Sequence, residues 1–211
     1  MTLKMLDMFC GKGGCSDGFA LEGFDVTGID VEDAPNKLGY KHRFIQANIM
    51  DLKGEDFRGY DVVWGSPPCR NFSELCRIYG STWKNPPDPQ KGLELVYAFL
   101  KFAEDAQPKL WMMENVAGLT RYYKEKPHTV TYLSVGRNGM GKKHAFWGNF
   151  PLVLIPKDTK HIITYHKIIN GKRCPKPVSK SKLSAWENAM IPLACSRAFA
   201  CACREALEPS L

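Results

Sequence analysis

The sequence predicts an α/β fold, with a mostly parallel sheet and helices on both faces. Two observations predict it. Short apolar segments of strand length alternate with helical segments through the first 113 residues, which is the pattern of βαβ units. A glycine-rich turn directly follows the first apolar segment, as in open sheets that bind a ligand at the carboxyl ends of their strands. The length of 211 residues suits a single domain with its own core, spanning residues 1–211.

Apolar and β-branched runs predict the strands. In the first half of the chain they are expected at residues 3–9, 24–29, 43–47, 60–64 and 109–113. In the second half, Thr129–Val135 and residues 145–147 also predict strands, and Gly148 and Asn149 indicate a turn after them.

Capping residues and apolar periodicity predict the helices. Ser16 is expected to cap a helix that runs to about Glu22. Residues 90–106 carry apolar side chains at helical spacing. Residues 183–207 predict a closing helix that is broken near Pro192. Between the fourth strand and the second helix, residues 71–89 predict a long loop, and loops of this length are usually functional.

Composition restricts the partners and the location. The net charge of +7 suits a polyanionic partner, although many proteins of this charge bind no nucleic acid. The eight cysteines include no Cys-x-x-Cys pair, so reduced thiols and no metal site are expected. Apolar runs are too short to span a bilayer, and the N-terminus lacks the features of a signal peptide. A cytoplasmic protein without a membrane partner is therefore expected.

The glycine-rich turn is the first candidate for ligand binding. Phe9, Gly11 and Gly13 follow the first strand and place backbone amides and a helix N-terminus at the carboxyl edge of the sheet. The pattern is neither the dinucleotide fingerprint nor a phosphate loop, so a purely structural turn is the alternative. Asp30 ends the second strand, where it is either well placed for two ribose hydroxyls or simply an exposed strand end.

Cys69 and Glu114 are the candidates for chemistry. Pro67 and Pro68 stiffen the turn that presents the Cys69 thiol after the fourth strand, and a nucleophilic cysteine needs such access. The alternative is a buried structural cysteine. Glu114 follows the apolar run 110–113 and is expected at the same sheet edge, where a carboxyl group can bond a ring nitrogen and an exocyclic amine. The alternative is a glutamate in a helix cap or a salt bridge.

Four segments in this order resemble motifs of the DNA (cytosine-5) methyltransferase family. Residues 6–19, LDMFCGKGGCSDGF, resemble its first motif. Residues 65–73, GSPPCRNFS, resemble its catalytic motif, with Pro-Cys-Arg in place of Pro-Cys-Gln. Glu114-Asn115-Val116 matches its Glu-Asn-Val motif, and residues 188–192, NAMIP, resemble its C-terminal motif. The resemblance covers nearly all of the chain.

This resemblance implies a Rossmann-like S-adenosylmethionine-dependent methyltransferase fold and a reaction. Cys69 would attack C6 of a cytosine, Glu114 would hold N3 and the 4-amino group, and C5 would take the methyl group. The cofactor would be S-adenosyl-L-methionine, with S-adenosyl-L-homocysteine as product. The partner would be DNA, and the target base would be flipped out of the duplex. Residues 71–89 would then form a loop that closes over the base.

The resemblance also implies roles for individual residues. The catalytic set would be Cys69, Glu114, Pro68 and Asn115. The cofactor site would contain Phe9, Cys10, Gly11, Gly13, Gly14, Asp30, Val31, Asn48, Ile49, Ser66, Pro67, Asn188 and Ala189. The substrate would contact Arg70, Ser73, Arg137, Lys142 and Lys143.

The chain departs from the family pattern in three places. Asn48 stands where the family usually contacts adenine with aspartate. The Gln-x-Arg-x-Arg motif, whose arginine contacts the cytosine, is not found, and Arg137, Lys142 and Lys143 are the candidates to supply its cation. Residues 150–182 form a short irregular segment in place of a target-recognition domain, too short for a second folded domain of usual size.

The missing recognition domain leaves several interpretations open. The enzyme is weakly specific, reads a very short site, or takes its specificity from a separate recognition subunit. Small members of the family are typical of phage and mobile elements, so a phage or restriction-modification setting in a bacterial, archaeal or phage-infected host cell is expected. Two alternative functions are the same chemistry on RNA or a free cytidine nucleotide, and a non-catalytic relative that binds cofactor or DNA as a partner subunit.

Overall fold

The computed structural model of the protein describes residues 2–73, 86–135, 140–154, 166–169, 172–175 and 190–208. Along the chain the elements are β1 (Lys4–Met8), α1 (Gly14–Leu21), β2 (Asp25–Asp30), α2 (Ala34–Leu38), β3 (Arg43–Gln46), β4 (Val62–Gly65), α3 (Pro89–Ala106), β5 (Leu110–Val116), β6 (Thr129–Val135), β7 (Met140–Asn149), β8 (His166–Ile169), β9 (Lys172–Pro175) and α4 (Leu193–Leu207). Short 3₁₀ turns lie at Ile49–Asp51, Gly54–Phe57, Cys69–Phe72 and Ala117–Arg121.

A seven-stranded sheet has the order β3-β2-β1-β4-β5-β7-β6. The first five strands pair in parallel, and β7 and β6 are antiparallel to their neighbours. From β1 the chain first builds outward to β3 and then returns to the other side of β1 with β4. The carboxyl ends of β1 and β4, where Met8 pairs with Gly65, therefore form a switch point, the usual place for a ligand in such sheets.

Helices cover both faces of the sheet, which confirms the predicted class. On one face, Phe199 of α4 packs edge-on against Trp64 with ring centroids 5.1 Å apart, and Phe19 of α1 joins the same cluster. On the other face, Val96 and Phe99 of α3 pack against the alternate side chains of the same strands. Each fully buried apolar side chain of this kind contributes about 1.5–3 kcal/mol.

Helix α3 agrees with the sequence to within one residue. Asp88 caps it, because the Asp88 carboxylate accepts hydrogen bonds from the backbone N–H groups of Gln90 and Lys91. Pro89 occupies the first turn, where no intrahelical N–H partner is needed. Helix α4 begins only after Pro192, and residues 183–189 of the predicted closing helix lie outside the described residues.

The predicted start of α1 is wrong. The helix begins at Gly14, and the cap position belongs to Gly13, whose φ of +86° is readily accessible to glycine. Ser16 lies inside the helix and is fully buried. Its hydroxyl and its backbone N–H both donate to Asp7 Oδ2, at 2.6 and 3.1 Å. Ser16 therefore does not cap the helix but hydrogen-bonds the buried carboxyl group of Asp7.

The turn predicted at Gly148 and Asn149 is wrong, and parts of the segments 150–182 and 71–89 lie outside the described residues. Gly148 and Asn149 form no turn but belong to β7, opposite Met112 and Trp111. A Cβ on Gly148 would lie 2.1 Å from the Trp111 carbonyl oxygen, so close strand approach requires the glycine. The segment 150–182 contains the β8–β9 hairpin. Its residues 155–165, 170–171 and 176–182, and residues 74–85 of the predicted loop, lie outside the description.

Among the described residues, no helix combines the length and the apolar character that a membrane crossing requires.

Candidate active site

A cavity of about 550 Å³ opens at the carboxyl ends of the central strands. This volume falls in the range of small-molecule sites, roughly 300–1,000 Å³. Most of the predicted site residues line it: Phe9, Cys10, Gly11, Gly14, Asp30, Val31, Asn48, Ile49, Ser66, Pro67, Pro68, Cys69, Arg70 and Glu114. The glycine turn, the second strand end, the cysteine loop and β5 therefore meet in one space.

The turn after β1 has an unusual backbone. Phe9 and Gly11 both have positive φ, +61° and +51°, and a non-glycine residue in this region costs of order 1–2 kcal/mol. Two hydrogen bonds tie the turn to β2: the Cys10 N–H donates to the Ile29 carbonyl at 3.1 Å, and the Gly11 N–H donates to Asp30 Oδ2 at 3.0 Å. The turn is thereby fixed to the end of β2.

Asp30 is held in one orientation at the cavity wall. Its two carboxylate oxygens accept hydrogen bonds from the Gly11 and Glu32 backbone N–H groups, each at 3.0 Å. Each carboxylate oxygen has a second lone pair available to a ligand hydroxyl. Val31, which is 62% exposed, and the buried Ile49 lie on the same cavity. This part of the cavity therefore combines the hydrogen-bonding carboxylate of Asp30 with the apolar side chains of Val31 and Ile49.

Asp7 lines the cavity and was missed by the sequence reasoning. Burial raises its pKa from the ordinary 3.8 to about 7, the hydrogen bonds from Ser16 oppose this rise, and the charges of Asp30 and Asp17 add to it. The Ser16 hydroxyl also bonds the Tyr40 hydroxyl at 2.8 Å. Asp7 belongs to the first motif, directly before Met8 and Phe9, so its place in that motif was the available signal.

Cys69 begins the 3₁₀ turn Cys69–Phe72, directly after Pro67 and Pro68, and its side chain is half-buried on the cavity. Asn115 ties this loop to β5, because its Nδ2 donates to the Pro67 carbonyl oxygen at 2.9 Å. Asn115 is fully buried and does not line the cavity. Its geometry is that of a residue that positions the cysteine loop.

Glu114 lies within β5, whereas the sequence predicted that the strand ends before it. Met113 pairs with Gly65, so Glu114 lies beside Ser66, at the start of the cysteine loop. Glu114 Oε1 lies 2.5 Å from His144 Nδ1, and both side chains are buried. A polar residue such as Glu114 predicts the end of a strand, because its burial depends on a partner distant in the sequence, here His144.

The cation candidates of the sequence analysis lie elsewhere or outside the description. Lys143 is exposed and is not part of the cavity lining. Arg137 and the side chain of Lys142 lie outside the described residues. Among the residues that the structure describes, His144, the next residue in β7, contacts Glu114. The sequence reasoning named the neighbours of His144 but not His144 itself.

The other predicted site residues take positions around the cavity. Gly13 lies beside the Tyr40 ring rather than on the cavity. Ser73 lines a neighbouring pocket of about 200 Å³ together with Asn71 and Arg121. Asn188 and Ala189 lie outside the described residues. The residues that follow them, Met190 and Ile191, do line the cavity.

The fold and the cavity define a Rossmann-like protein that presents a cysteine and a glutamate beside a glycine turn. The chain belongs to the C-5 cytosine-specific DNA methylase family, whose model matches residues 3–140. This confirms the family resemblance, and the matched residues contain the first three of its four motifs.

Individual relatives cover different shares of the chain. The "Probable DNA (cytosine-5)-methyltransferase" of Frog virus 3 (isolate Goorha) is 30% identical over 156 residues, which cover 69% of this chain and 70% of the viral protein. "Type II methyltransferase M.FnuDI" of Fusobacterium nucleatum is 29% identical over 121 residues, with 56% of this chain and 33% of the relative covered. "Type II methyltransferase M1.HphI" of Haemophilus parahaemolyticus is 33% identical over 130 residues, with 56% and 34% covered. The chain thus spans about a third of the length of these two bacterial relatives.

Proposed function

We propose that this protein transfers a methyl group from S-adenosyl-L-methionine to C5 of cytosine in DNA, through a transient bond between Cys69 Sγ and C6. The observation that carries the proposal is that Cys69 and Glu114 line the same cavity as the glycine turn and Asp30. A nucleophile and a carboxyl group thereby lie next to a site suited to a nucleoside. The family membership supports the same reaction.

The cofactor end of the cavity fits S-adenosyl-L-methionine in size and in donor chemistry. The Asp30 carboxylate would hold the ribose hydroxyls, and Val31, Asn48 and Ile49 would hold the adenine. The strained turn at Phe9 and Gly11 would lie against the amino-acid part of the molecule. When bound, the cofactor supplies the methyl group that C5 accepts.

At the base end, two groups of the chain act together. The Cys69 thiolate attacks C6, so an Sγ–C6 bond forms and the C5–C6 π electrons shift toward C5 and N3. Glu114 gives its proton to N3, which leaves a neutral enamine with a nucleophilic C5. After methylation C5 loses its proton to solvent water, the Sγ–C6 bond breaks to regenerate the thiolate, and the N3 proton returns to Glu114.

DNA would reach this end of the cavity with its target base outside the stack. Arg70 is exposed at the rim of the cavity, and Ser73 lies with Arg121 in the adjoining pocket. Arg70 and Ser73 are proposed to contact the flipped nucleotide or its backbone. A separate recognition subunit is proposed as the source of specificity, because base readout needs several side chains in a groove.

The first test is transfer of labelled methyl from S-adenosyl-L-methionine to duplex DNA of mixed sequence. We expect label in 5-methylcytosine with the wild-type protein and none with Cys69→Ala, because the covalent step requires the thiolate. Cys201→Ala is the matched control, since Cys201 is a cysteine of α4 that does not line the cavity. It should transfer methyl at the wild-type rate.

The same assay separates the rival functions. RNA and cytidine nucleotides are offered in competition with the duplex, and labelled product in either would move the substrate away from DNA. Full activity of the Cys69→Ala variant would contradict the covalent mechanism. Cofactor binding without transfer to any of these substrates would favour a non-catalytic binding protein.

A further inference from the structure

The Glu114–His144 pair is built by the register of two antiparallel strands. Glu114 of β5 lies opposite Phe146 of β7, and His144 lies opposite Val116. Alternate residues of a strand share a face, so His144, Phe146 and Glu114 project from the same side of the sheet. His144 Nδ1 lies 2.5 Å from Glu114 Oε1, and the two side chains are 1% and 8% exposed.

Two buried thiols lie near the Glu114–His144 pair. Cys15 of α1 and Cys195 of α4 face it, and burial raises the pKa of both thiols, with a smaller contribution from Glu114. Both thiols are therefore uncharged near neutral pH. A buried carboxylate is costly unless a hydrogen-bond donor or a charge stabilises it. His144 is placed to be that donor.

The second ring nitrogen of His144, Nε2, is also buried. Within the described part of the chain, His144 Nε2 is buried and has no hydrogen-bond partner. A buried polar atom without a partner is uncommon and costs stability. A histidine kept at this position for packing alone would be better replaced by an apolar ring. The bond from Nδ1 to Glu114 is the contact that the histidine specifically provides.

We infer that His144 is a positioning residue that holds Glu114 Oε1 through its Nδ1–H, so that Oε2 is the atom presented to the base. The inference rests on the proposed function. When the proton on Glu114 Oε2 passes to N3 of the base, Glu114 becomes a carboxylate and the bond from Nδ1–H becomes charge-assisted. Such bonds are roughly twice as strong as neutral ones. His144 therefore stabilises the charge that develops as Cys69 attacks C6.

The matched variants are His144→Phe, which keeps the ring shape without a donor, and His144→Asn, whose amide retains a donor. His144→Phe should lower kcat about 10- to 100-fold, the value of one hydrogen bond to a charged group. KM for DNA should change little, because His144 does not line the cavity. His144→Asn should recover much of the loss. His128→Phe is the control, because His128 is exposed and its ring lies against Phe150, with centroids 4.4 Å apart.

Two readouts separate positioning from general structural support. The rate of covalent trapping on duplex DNA with 5-fluorocytosine should fall with His144→Phe by the same factor as kcat, since trapping requires the attack of Cys69. In a Glu114→Gln background, His144→Phe should cause no further loss, because its effect passes through Glu114. The thermal shift produced by S-adenosyl-L-homocysteine should be unchanged in both His144 variants.

Three results would overturn the inference. The first is wild-type kcat in His144→Phe, and the second is losses from Glu114→Gln and His144→Phe that multiply in the double variant. The third is loss of the thermal shift by S-adenosyl-L-homocysteine in His144→Phe that His144→Asn does not restore. That result would mean that His144 only supports the fold. A wild-type protein that neither transfers methyl nor is trapped would instead overturn the proposed function, and with it this inference.

Discussion

At the scale of single residues, the cavity holds a carboxyl group that is half protonated near neutral pH. Asp7 is 2% exposed, and its raised pKa of about 7 comes mainly from burial. The Ser16 N–H and hydroxyl, which both donate to Asp7 Oδ2, lessen this shift. The charge at the end of β1 therefore changes within the physiological range.

This predicts a pH-dependent stability that Asp7→Asn removes. The folded protein keeps the Asp7 proton up to about pH 7, whereas the unfolded chain releases it near the ordinary value of 3.8. The stability contribution of the protonated group is therefore complete below about pH 4 and falls as the pH rises to 7. The slope is at most about 1.4 kcal/mol per pH unit.

Urea unfolding at several pH values, for the wild type and Asp7→Asn, measures this slope. The asparagine oxygen can still accept the bonds from Ser16, so the variant is expected to fold. The difference between the two stability curves isolates the single carboxyl group. A difference that does not change between pH 4.5 and 7.5 would refute the prediction.

At the scale of elements, the contact between α1 and α4 closes one side of the cavity. A Cβ on Gly18 of α1 would lie 2.1 Å from the Ser196 Oγ and 2.7 Å from the Arg197 backbone nitrogen. A Cβ on Gly14 would lie 2.9 Å from the Ile191 carbonyl oxygen, at the cavity wall. The two helix segments pack at a distance that only glycine allows.

Gly18→Ala is therefore predicted to destabilise the protein by about 1–3 kcal/mol through overpacking. In an exposed helix the same change would stabilise by about 1 kcal/mol, so the sign of the effect tests the contact. Leu21→Ala, at a 63% exposed position of the same helix, is the control and should change stability by less than about 0.5 kcal/mol. Thermal and urea unfolding measure both variants, and a stabilising Gly18→Ala would contradict the packing.

Elements whose signals are local were predicted well, and those shaped by distant contacts were not. Helix α3 follows from apolar periodicity and from Asp88 and Pro89 at its start. Strand β5 extends beyond its apolar run because Asn115 and Glu114 find buried partners from other elements. Gly148 reads as a turn in the sequence, but the Trp111 carbonyl oxygen beside it explains the glycine.

At the scale of the whole molecule, the site is assembled from segments far apart in the chain. Phe9, Asp30, Cys69 and Glu114 could be assigned to one cavity because motif order and the parallel sheet place strand ends together. His144 could not, because its contact with Glu114 depends on the antiparallel register of β7.

Ligand binding should stabilise the whole fold through Asp30. At 100 times its Kd, S-adenosyl-L-homocysteine should add about 2.7 kcal/mol, which raises Tm by roughly 5–10 °C in a chain of this length. Asp30→Asn should lose most of this shift, because one carboxylate acceptor is replaced by an amide N–H₂. The exposed Glu55→Gln should keep it. An undiminished shift in Asp30→Asn, measured by thermal unfolding, would place the ribose elsewhere.

The direction of the strands also decides where the molecule tolerates foreign sequence. The cavity occupies the carboxyl edge of the sheet, whereas Gly59 lies shortly before β4, at the amino edge. An added Cβ there would meet no atom within 4 Å, although the φ of +99° favours keeping Gly59 itself and inserting beside it. Engineers who wish to graft a reporter or a programmable DNA-binding module have there an entry point on the edge opposite the cavity.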